Sequence, residues 1–238
     1  MINSIAERLT EIRRAIGQAC AQCHRATSEV TLVAVSKTKP VAAISAAIAA
    51  GQRHFGENYV QEGVQKIQHF SDDQSLTWHF IGPIQSNKTR DIAEHFSWVH
   101  SIDRIKIAQR LQQQRPPHLP PLNVLIQVNI DDEDSKSGVA PAQVVELAAE
   151  ISQLPQLKLR GLMAIPRPSS EPAQQARSLA AMQRLFMQLK AQYSDLDTLS
   201  MGMSDDLSVA VEHGSTMVRI GSAIFGPRVS NEPTRSAE

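Results

Sequence analysis

The residue in this sequence that most clearly suggests a chemical reaction is Lys37, which follows the strand-like run Leu32–Ser36. Side chains alternate across a strand, so Lys37 shares one face with Val33 and Val35. If that face points inward, the amine lies in a partly dry site, where burial disfavours the charged ammonium form. A neutral amine is a nucleophile for an aldehyde or ketone. The alternative is a solvated lysine just beyond the end of a strand.

Two clusters near the carboxyl terminus are rich in glycine and serine: Ser200–Asp206 and Met217–Ser222. Glycine lets a backbone approach a ligand closely, and serine adds a hydroxyl to the backbone N–H donors, which together suit a phosphate group. The second cluster also contains Arg219, and an arginine that points inward needs a partner. That partner is either a bound ligand or an acidic side chain such as Asp205 or Glu212.

Short β-rich runs alternate with helical patterns along the rest of the chain. The predicted strands are Thr31–Ser36, His54–Gly56, Trp78–Gly82, Trp98–Ile102, Asn123–Asn129, Lys158–Ile165, Thr198–Met203 and Met217–Gly221. The predicted helices between them are Val41–Ala50, Asn58–His69, Lys88–His95, Arg104–Gln114, Ala142–Gln153, Ala173–Tyr193 and Asp206–His213. About eight such units in about 240 residues match a (β/α)8 TIM-type barrel. A doubly wound open sheet is the alternative, but the turn Ser36–Pro40 lacks its glycine fingerprint.

We therefore expect a single α/β domain. A barrel over residues 1–226 would include an N-terminal helix over 2–25, and residues 227–238 would form a flexible tail. Active sites of such barrels gather where the strands end, so the lysine, the arginine and the glycine–serine clusters would share one mouth. A ligand with both a carbonyl and a phosphate fits them. Pyridoxal 5′-phosphate (PLP) is one such ligand, and a phosphorylated sugar, as in a class I aldolase, is another.

The composition excludes several classes of partner. The chain has 24 Lys and Arg against 24 Asp and Glu, so it lacks the basic surplus of a general nucleic-acid binder. No apolar window is long enough to predict a transmembrane helix, and the first residues do not predict a signal peptide. Two cysteines in 238 residues fit a reducing compartment. We expect a cytoplasmic monomer with no membrane or nucleic-acid partner.

Two short motifs match other chemistries but have simpler explanations. Cys20 and Cys23 lie in the string Cys-Ala-Gln-Cys-His, which matches a c-type haem attachment site. They also continue the apolar stripe of one helix, where free cysteine acts as a small hydrophobe. The string Ser36–Lys39 matches the S-x-x-K motif of serine acyl-enzymes, but its serine is predicted on a strand rather than on a helix. The histidines show no metal-ligand spacing, so no metal is predicted.

Several strings in the chain resemble those of the YggS-type pyridoxal phosphate homeostasis proteins, relatives of the N-terminal barrel of alanine racemase. In order along the chain they are Val35–Pro40, His54–Tyr59, His79–Lys88, Gly161–Ile165, Ser200–Asp206 and Gly214–Gly226. The resemblance implies a fold-type III barrel that carries PLP as a Schiff base on Lys37. The other residues that it places around the cofactor are Asn58 at the ring, Arg219 at the pyridine nitrogen, and Ser204, Gly221 and Ser222 at the phosphate.

The resemblance also implies PLP binding and homeostasis without an established reaction. Arginine cannot accept a proton, so Arg219 would leave the pyridine nitrogen unprotonated and weaken the ring as an electron sink. Related racemases take a second base, a tyrosine, from a further domain, for which no residues remain after Gly226. The tyrosines here, Tyr59 and Tyr193, are not predicted at the mouth. We predict a non-enzymatic carrier that passes PLP to apo forms of PLP-dependent enzymes. A PLP-dependent amino-acid racemase is the alternative.

Overall fold

The computed structural model describes residues 4–131, 137–167 and 171–227. Eight parallel strands in this part of the chain close into a barrel in chain order. They are β1 Thr31–Val35, β2 His54–Glu57, β3 Thr77–Phe80, β4 Trp98–Ile102, β5 Leu122–Gln127, β6 Leu157–Met163, β7 Thr198–Ser200 and β8 Met217–Ile220. The barrel closes where β1 pairs with β8, with Val33 beside Arg219. The predicted TIM-type barrel is confirmed.

One helix precedes β1, and in the described residues a helix follows each of the eight strands. They are α1 Ile5–Gln22, α2 Val41–Ala49, α3 Val60–His69, α4 Thr89–His95, α5 Ile105–Gln114, α6 Val144–Ile151, α7 Pro172–Gln192, α8 Leu207–Glu212 and α9 Ser222–Phe225. The short helix α9 was not predicted as an element. Apart from Pro227, the predicted tail over 227–238 lies outside the described residues.

Helix α1 precedes the barrel and packs on it through one face. Ser4 caps its first turn in a capping box with Glu7, in which each side chain accepts a hydrogen bond from the other residue's backbone N–H. Its buried residues are Leu9, Ile16, Ala19 and Cys20. The predicted apolar stripe is therefore confirmed for Cys20, and burial raises the pKa of the Cys20 thiol, which keeps it protonated and unreactive.

The apolar core has two compartments. The larger one lies between the strands and the surrounding helices, and the smaller one fills the barrel interior with Val33, Trp98, Leu125, Met163 and Met217. Since Val33 faces inward, the alternation expected along β1 is confirmed. The inward position of Met217 likewise places Arg219, two residues further along β8, on the inner face.

Strand β7 ends earlier than predicted, at Ser200 rather than Met203. Gly202, two residues further on, has a φ of +99°, which turns the chain after its carbonyl oxygen has accepted a hydrogen bond from the Arg219 N–H of β8. A Cβ on this residue would lie 2.6 Å from the Cβ of Ala210, so only glycine fits there. The turn leads residues 201–206 across the mouth of the barrel.

No helix in the described residues combines the length and apolar character needed to cross a lipid bilayer. A group of three or more His, Cys, Asp or Glu side chains suited to a metal ion is likewise absent from residues 4–131, 137–167 and 171–227.

Candidate functional site

A cavity of about 360 Å³ opens at the carboxyl ends of β1, β7 and β8. Its lining contains five of the six residues predicted for the site, namely Lys37, Ser204, Arg219, Gly221 and Ser222, together with Lys39. The carboxyl mouth is where barrels of this kind place their active sites. The structure therefore brings together side chains that lie up to 185 residues apart in sequence, between Lys37 and Ser222.

Lys37 lies in the loop between β1 and α2 and is half-buried. The following residue, Thr38, has a φ of +61°, an uncommon left-handed conformation for a threonine. The carboxylate of Glu62 accepts a hydrogen bond from the Thr38 N–H at 2.6 Å and so holds this conformation. The direction in which Lys37 leaves the strand is therefore determined by a contact with α3.

A buried ion pair supports the same loop from below. The Nζ of Lys66 donates to Glu57 Oε1 at 2.8 Å, to Glu62 Oε1 at 2.6 Å and to the carbonyl oxygen of Ser36 at 2.7 Å. The Ser36 hydroxyl also donates to Glu57 Oε1, at 2.5 Å. Because one ammonium joins the ends of β1 and β2 to α3, this network fixes the backbone on both sides of Lys37.

In the ion pair of Glu57 with Lys66, burial affects the pKa of Glu57 more strongly than the attraction of Lys66 does. Burial raises the pKa of Glu57, while the nearby ammonium of Lys66 lowers it. Glu57 Oε2 is buried and has no hydrogen-bond partner among the described residues. Sequence reasoning missed this pair, although an acidic and a basic residue within one strand–helix unit were a visible signal.

Arg219 is buried at the floor of the cavity. Its Nη1 donates to Ser200 Oγ at 2.6 Å and its Nη2 to the carbonyl oxygen of Ala164 at 2.9 Å. Burial lowers the pKa of Arg219 to about 10, against a smaller opposing effect of Asp206, so the side chain stays cationic at neutral pH. In the described part of the chain its hydrogen bonds go to neutral oxygens, and it forms no ion pair with the proposed partners Asp205 or Glu212.

The phosphate-binding candidates surround the cavity rim. Ser204 and Ser222 are exposed, so their hydroxyls can reach a ligand. Ser222 begins α9, and the first N–H groups of a helix have no partner within it. A Cβ on Gly221 would lie 3.3 Å from the carbonyl oxygen of Val35, so this position leaves little room for a side chain.

Two side chains hold these rim segments. The carboxylate of Asp206 accepts from the Met203 N–H at 2.5 Å, and burial raises the pKa of Asp206. Lys39 Nζ donates to the carbonyl oxygens of Gly226 at 3.0 Å and Pro227 at 2.8 Å, just beyond α9. The lysine next but one to Lys37 therefore has a structural role in this arrangement.

Asn58 is the predicted site residue that the structure does not place in the same cavity. It lines a neighbouring cavity of about 290 Å³, with Gln127 and Asn129 among the other residues. Val35 of β1 pairs with Gly56 of β2. Lys37 lies two residues after Val35, and Asn58 lies two residues after Gly56, so the two cavities adjoin the same mouth. Asn58 Oδ1 is buried without a hydrogen-bond partner among the described residues, so it offers an acceptor to a ligand.

The barrel interior below the cavity contains polar residues that the sequence did not reveal as a group: His54, His79, His100 and Ser200. His79 is fully buried and lies between two other imidazoles, those of His54 and His100. All of them lie on the inner faces of their strands.

The closed parallel barrel carries a lysine, a buried arginine and a glycine–serine rim at its carboxyl mouth. The family of the alanine racemase N-terminal domain matches residues 10–229, so the chain is a barrel of the alanine racemase type. The alanine racemase of Corynebacterium glutamicum has a similar fold, with a TM-score of 0.69 and 17% identity over 98% of this chain and 62% of that one.

Within this class the chain belongs to the family of pyridoxal phosphate homeostasis proteins. It is 58% identical over 229 residues to the pyridoxal phosphate homeostasis protein of Escherichia coli K12, covering 95% of this chain and 98% of that protein. The corresponding protein of Pasteurella multocida is 56% identical over 228 residues, covering 94% and 98%. PipY of Synechococcus elongatus, solved with PLP bound, has a TM-score of 0.81 and 38% identity over 94% of this chain and 100% of PipY.

Proposed function

We propose that this chain is a PLP-binding protein of intracellular PLP homeostasis, located in the cytoplasm, that holds the cofactor as a Schiff base on Lys37. The observation that carries the proposal is the convergence of Lys37, Arg219 and the two rim serines, Ser204 and Ser222, on one cavity. The relatives of this chain are pyridoxal phosphate homeostasis proteins, and the structure of PipY has been solved with PLP bound. Bound PLP supplies a reactive aldehyde and an electron-accepting pyridine ring.

The residues present fit the two ends of such a ligand. Lys37 Nζ is the nucleophile for the aldehyde, and its backbone is held by the Glu57–Lys66–Glu62 network. The rim offers hydroxyl donors from Ser204 and Ser222 and backbone N–H groups around Gly221, which suit a phosphate. Arg219 can only donate a hydrogen bond, so it would face an unprotonated ring nitrogen. The unpartnered Oδ1 of Asn58 would approach the ring from the adjoining cavity.

A carrier is favoured over an amino-acid racemase by the position of possible second bases. Tyr59 is 55% exposed and lines a cavity beside α3 rather than the one that contains Lys37. Tyr193 lies at the far end of α7 as its C-cap. The cationic Arg219 also disfavours protonation of the ring nitrogen, which weakens carbanion stabilisation. We infer that the chain acts as a monomer and hands PLP to apo-enzymes.

The decisive experiment is the absorbance spectrum of the protein after addition of PLP. We expect a band at about 420 nm that disappears on borohydride reduction, with the reduced adduct mapped by mass spectrometry to Lys37. Lys37→Ala should lose the band, while Lys106→Ala, which removes an exposed lysine of α5, should keep it. An adduct mapped to another lysine, or an unchanged band in Lys37→Ala, would require a different site.

Two further measurements separate the carrier from its alternatives. When the PLP-loaded protein is incubated with L-amino acids, it should form no more D-enantiomer than free PLP forms under the same conditions. Sustained turnover would favour the racemase. Transfer of PLP to an apo-enzyme in the presence of an excess of a PLP-trapping amine would test delivery, since freely released PLP would be trapped first.

A further inference from the structure

A continuous row of hydrogen-bonded side chains crosses the barrel interior below the cavity. His54 Nδ1 lies 3.1 Å from His79 Nε2, and His79 Nδ1 lies 3.0 Å from His100 Nε2. His100 Nδ1 lies 3.1 Å from Ser200 Oγ, and Arg219 Nη1 donates a hydrogen bond to the same Oγ at 2.6 Å. We call these five residues, on β2, β3, β4, β7 and β8, the interior relay.

The relay connects two opposite faces of the barrel. His79, His100 and Ser200 are fully buried, whereas His54 is half-buried at the amino end of β2. His54 borders a separate cavity of about 290 Å³ on the amino-terminal face. Arg219 forms the other end, in the floor of the cavity that contains Lys37. The orientation of the central ring is fixed by stacking of His79 on Trp98, with centroids 5.5 Å apart.

The direction of every hydrogen bond in the relay follows from the chemistry of its ends. Burial lowers the pKa of both His79 and His100 well below the ordinary value, so each ring is neutral and has one donor and one acceptor. Arg219 only donates, so Ser200 Oγ accepts from it. The acceptor that the described residues offer to the Ser200 hydroxyl proton is His100 Nδ1. Therefore His100 carries its proton on Nε2 and donates to His79, which in turn donates to His54.

This order has an electrostatic consequence. Each neutral ring turns its lone pair towards Arg219 and its N–H away from it, so the ring dipoles all stabilise the guanidinium. A buried cation is costly without a partner, and the hydrogen bonds of Arg219 go to the neutral oxygens of Ser200 and Ala164. The aligned relay supplies part of the compensation that a carboxylate would otherwise provide.

We propose that His54, His79 and His100 act through Ser200 as positioning residues for Arg219, forming a one-way chain of hydrogen bonds that orients the guanidinium towards the cofactor cavity. The effect on PLP rests on the proposed function, in which Arg219 faces the ring nitrogen. The order of the relay itself is a property of the protein without ligand.

The first test uses the ligand-free protein. NMR of protein with ¹⁵N-labelled histidine should show His79 and His100 as neutral rings protonated on Nε2 at neutral pH. Protonation of either ring on Nδ1, or a doubly protonated ring, would overturn the proposed direction. Because no PLP is present, this result does not depend on whether the chain binds it.

The second test compares two replacements of His100 in the PLP-loaded protein. His100→Leu removes the acceptor for Ser200, and we expect PLP to bind roughly ten- to one hundredfold more weakly with a shifted absorbance maximum. His100→Asn can present its Oδ1 where Nδ1 lies and should restore most of the affinity and the band position. His118→Gln, in an exposed loop, is the control.

Three outcomes of the second test would overturn the proposal. The first is a folded His100→Leu protein with unchanged affinity and spectrum, and the second is a loss of PLP affinity in the control. The third is an equal loss in the Leu and Asn variants, which would mean that His100 only fills space. If His100→Leu does not fold, the NMR result decides. Failure of the unsubstituted protein to bind PLP would contradict the proposed function instead, and would leave the NMR test of the relay intact.

Discussion

The buried histidines should make the stability of this barrel depend on pH in a direction that the structure determines. Burial lowers the pKa of His79 and His100, so both stay neutral in the folded protein while the unfolded chain takes up protons below the ordinary histidine pKa of about 6.5. The unfolded state then binds more protons. The free energy of unfolding therefore decreases as the pH falls below that value.

The magnitude follows from the proton linkage. An unfolded histidine is about one-eleventh protonated at about pH 7.5 and about ten-elevenths protonated at about pH 5.5. Integration over this interval gives about 1.4 kcal/mol for each histidine that stays neutral in the fold, and so about 3 kcal/mol for the two. That is a substantial part of the roughly 5–15 kcal/mol that stabilises a typical domain.

Two carboxyl groups act in the opposite direction and must be separated experimentally. The pKa values of Glu57 and Asp206 are raised by burial, so the folded state holds more of their protons and their effect favours stability at lower pH. The difference between the unsubstituted protein and His100→Asn cancels these carboxyl groups. It leaves the effect of one histidine, about 1.4 kcal/mol between the two pH values.

The assay is urea unfolding of three proteins at both pH values. The free energy of unfolding of the unsubstituted protein should fall by about 1.4 kcal/mol more than that of His100→Asn. His118→Gln, which removes an exposed histidine, should follow the unsubstituted protein. The comparison does not depend on how much the Asn variant is destabilised overall, because only the change with pH is used. Parallel pH dependences of the unsubstituted protein and the Asn variant would refute the reasoning.

Two other replacements test the contacts that hold the site. Lys66→Met leaves the Glu57 carboxylate buried without its cation, so urea unfolding should show a loss of about 3–5 kcal/mol, which Glu57→Gln in the same chain should partly reverse. A loss no larger than that of a surface substitution would contradict the role of the pair. Gly202→Ala places a Cβ 2.6 Å from that of Ala210 at a φ of +99°, so we expect a lower melting temperature and weaker PLP binding. Unchanged binding would show that the 201–206 turn does not form the site.

The barrel could be predicted from the sequence because its determinants are local. Each strand is a short β-rich run, each helix has its own apolar face, and their alternation leaves few topologies. The boundaries that differed depend on contacts between distant residues. Beyond the end of β7 at Ser200, the turn at Gly202 must fit against Ala210 of α8, and no single segment contains that information.

The cavity was predictable for a related reason: strand ends of a parallel barrel meet at one mouth, so polar residues there converge whatever their separation in sequence. The relay was not predictable in this way. His79 and His100 lie 21 residues apart and His100 and Ser200 lie 100 apart, and their contact depends on which residues of different strands reach the same height inside the barrel. A visible signal was the repeated placement of histidine on strands whose inner faces are usually apolar.

The two buried networks reach the cavity beside Lys37 and at Arg219, which explains why polar groups share the barrel interior with the apolar cluster around Val33. Buried polar and ionic groups cost free energy unless they are paired, and apolar side chains could fill a barrel of this size without that cost. Here the paired groups hold the backbone at Thr38, beside Lys37, and the guanidinium of Arg219. A ligand that enters the cavity meets groups already in place, so little ordering entropy opposes its binding. Tight retention of a reactive ligand is the property that the proposed carrier requires.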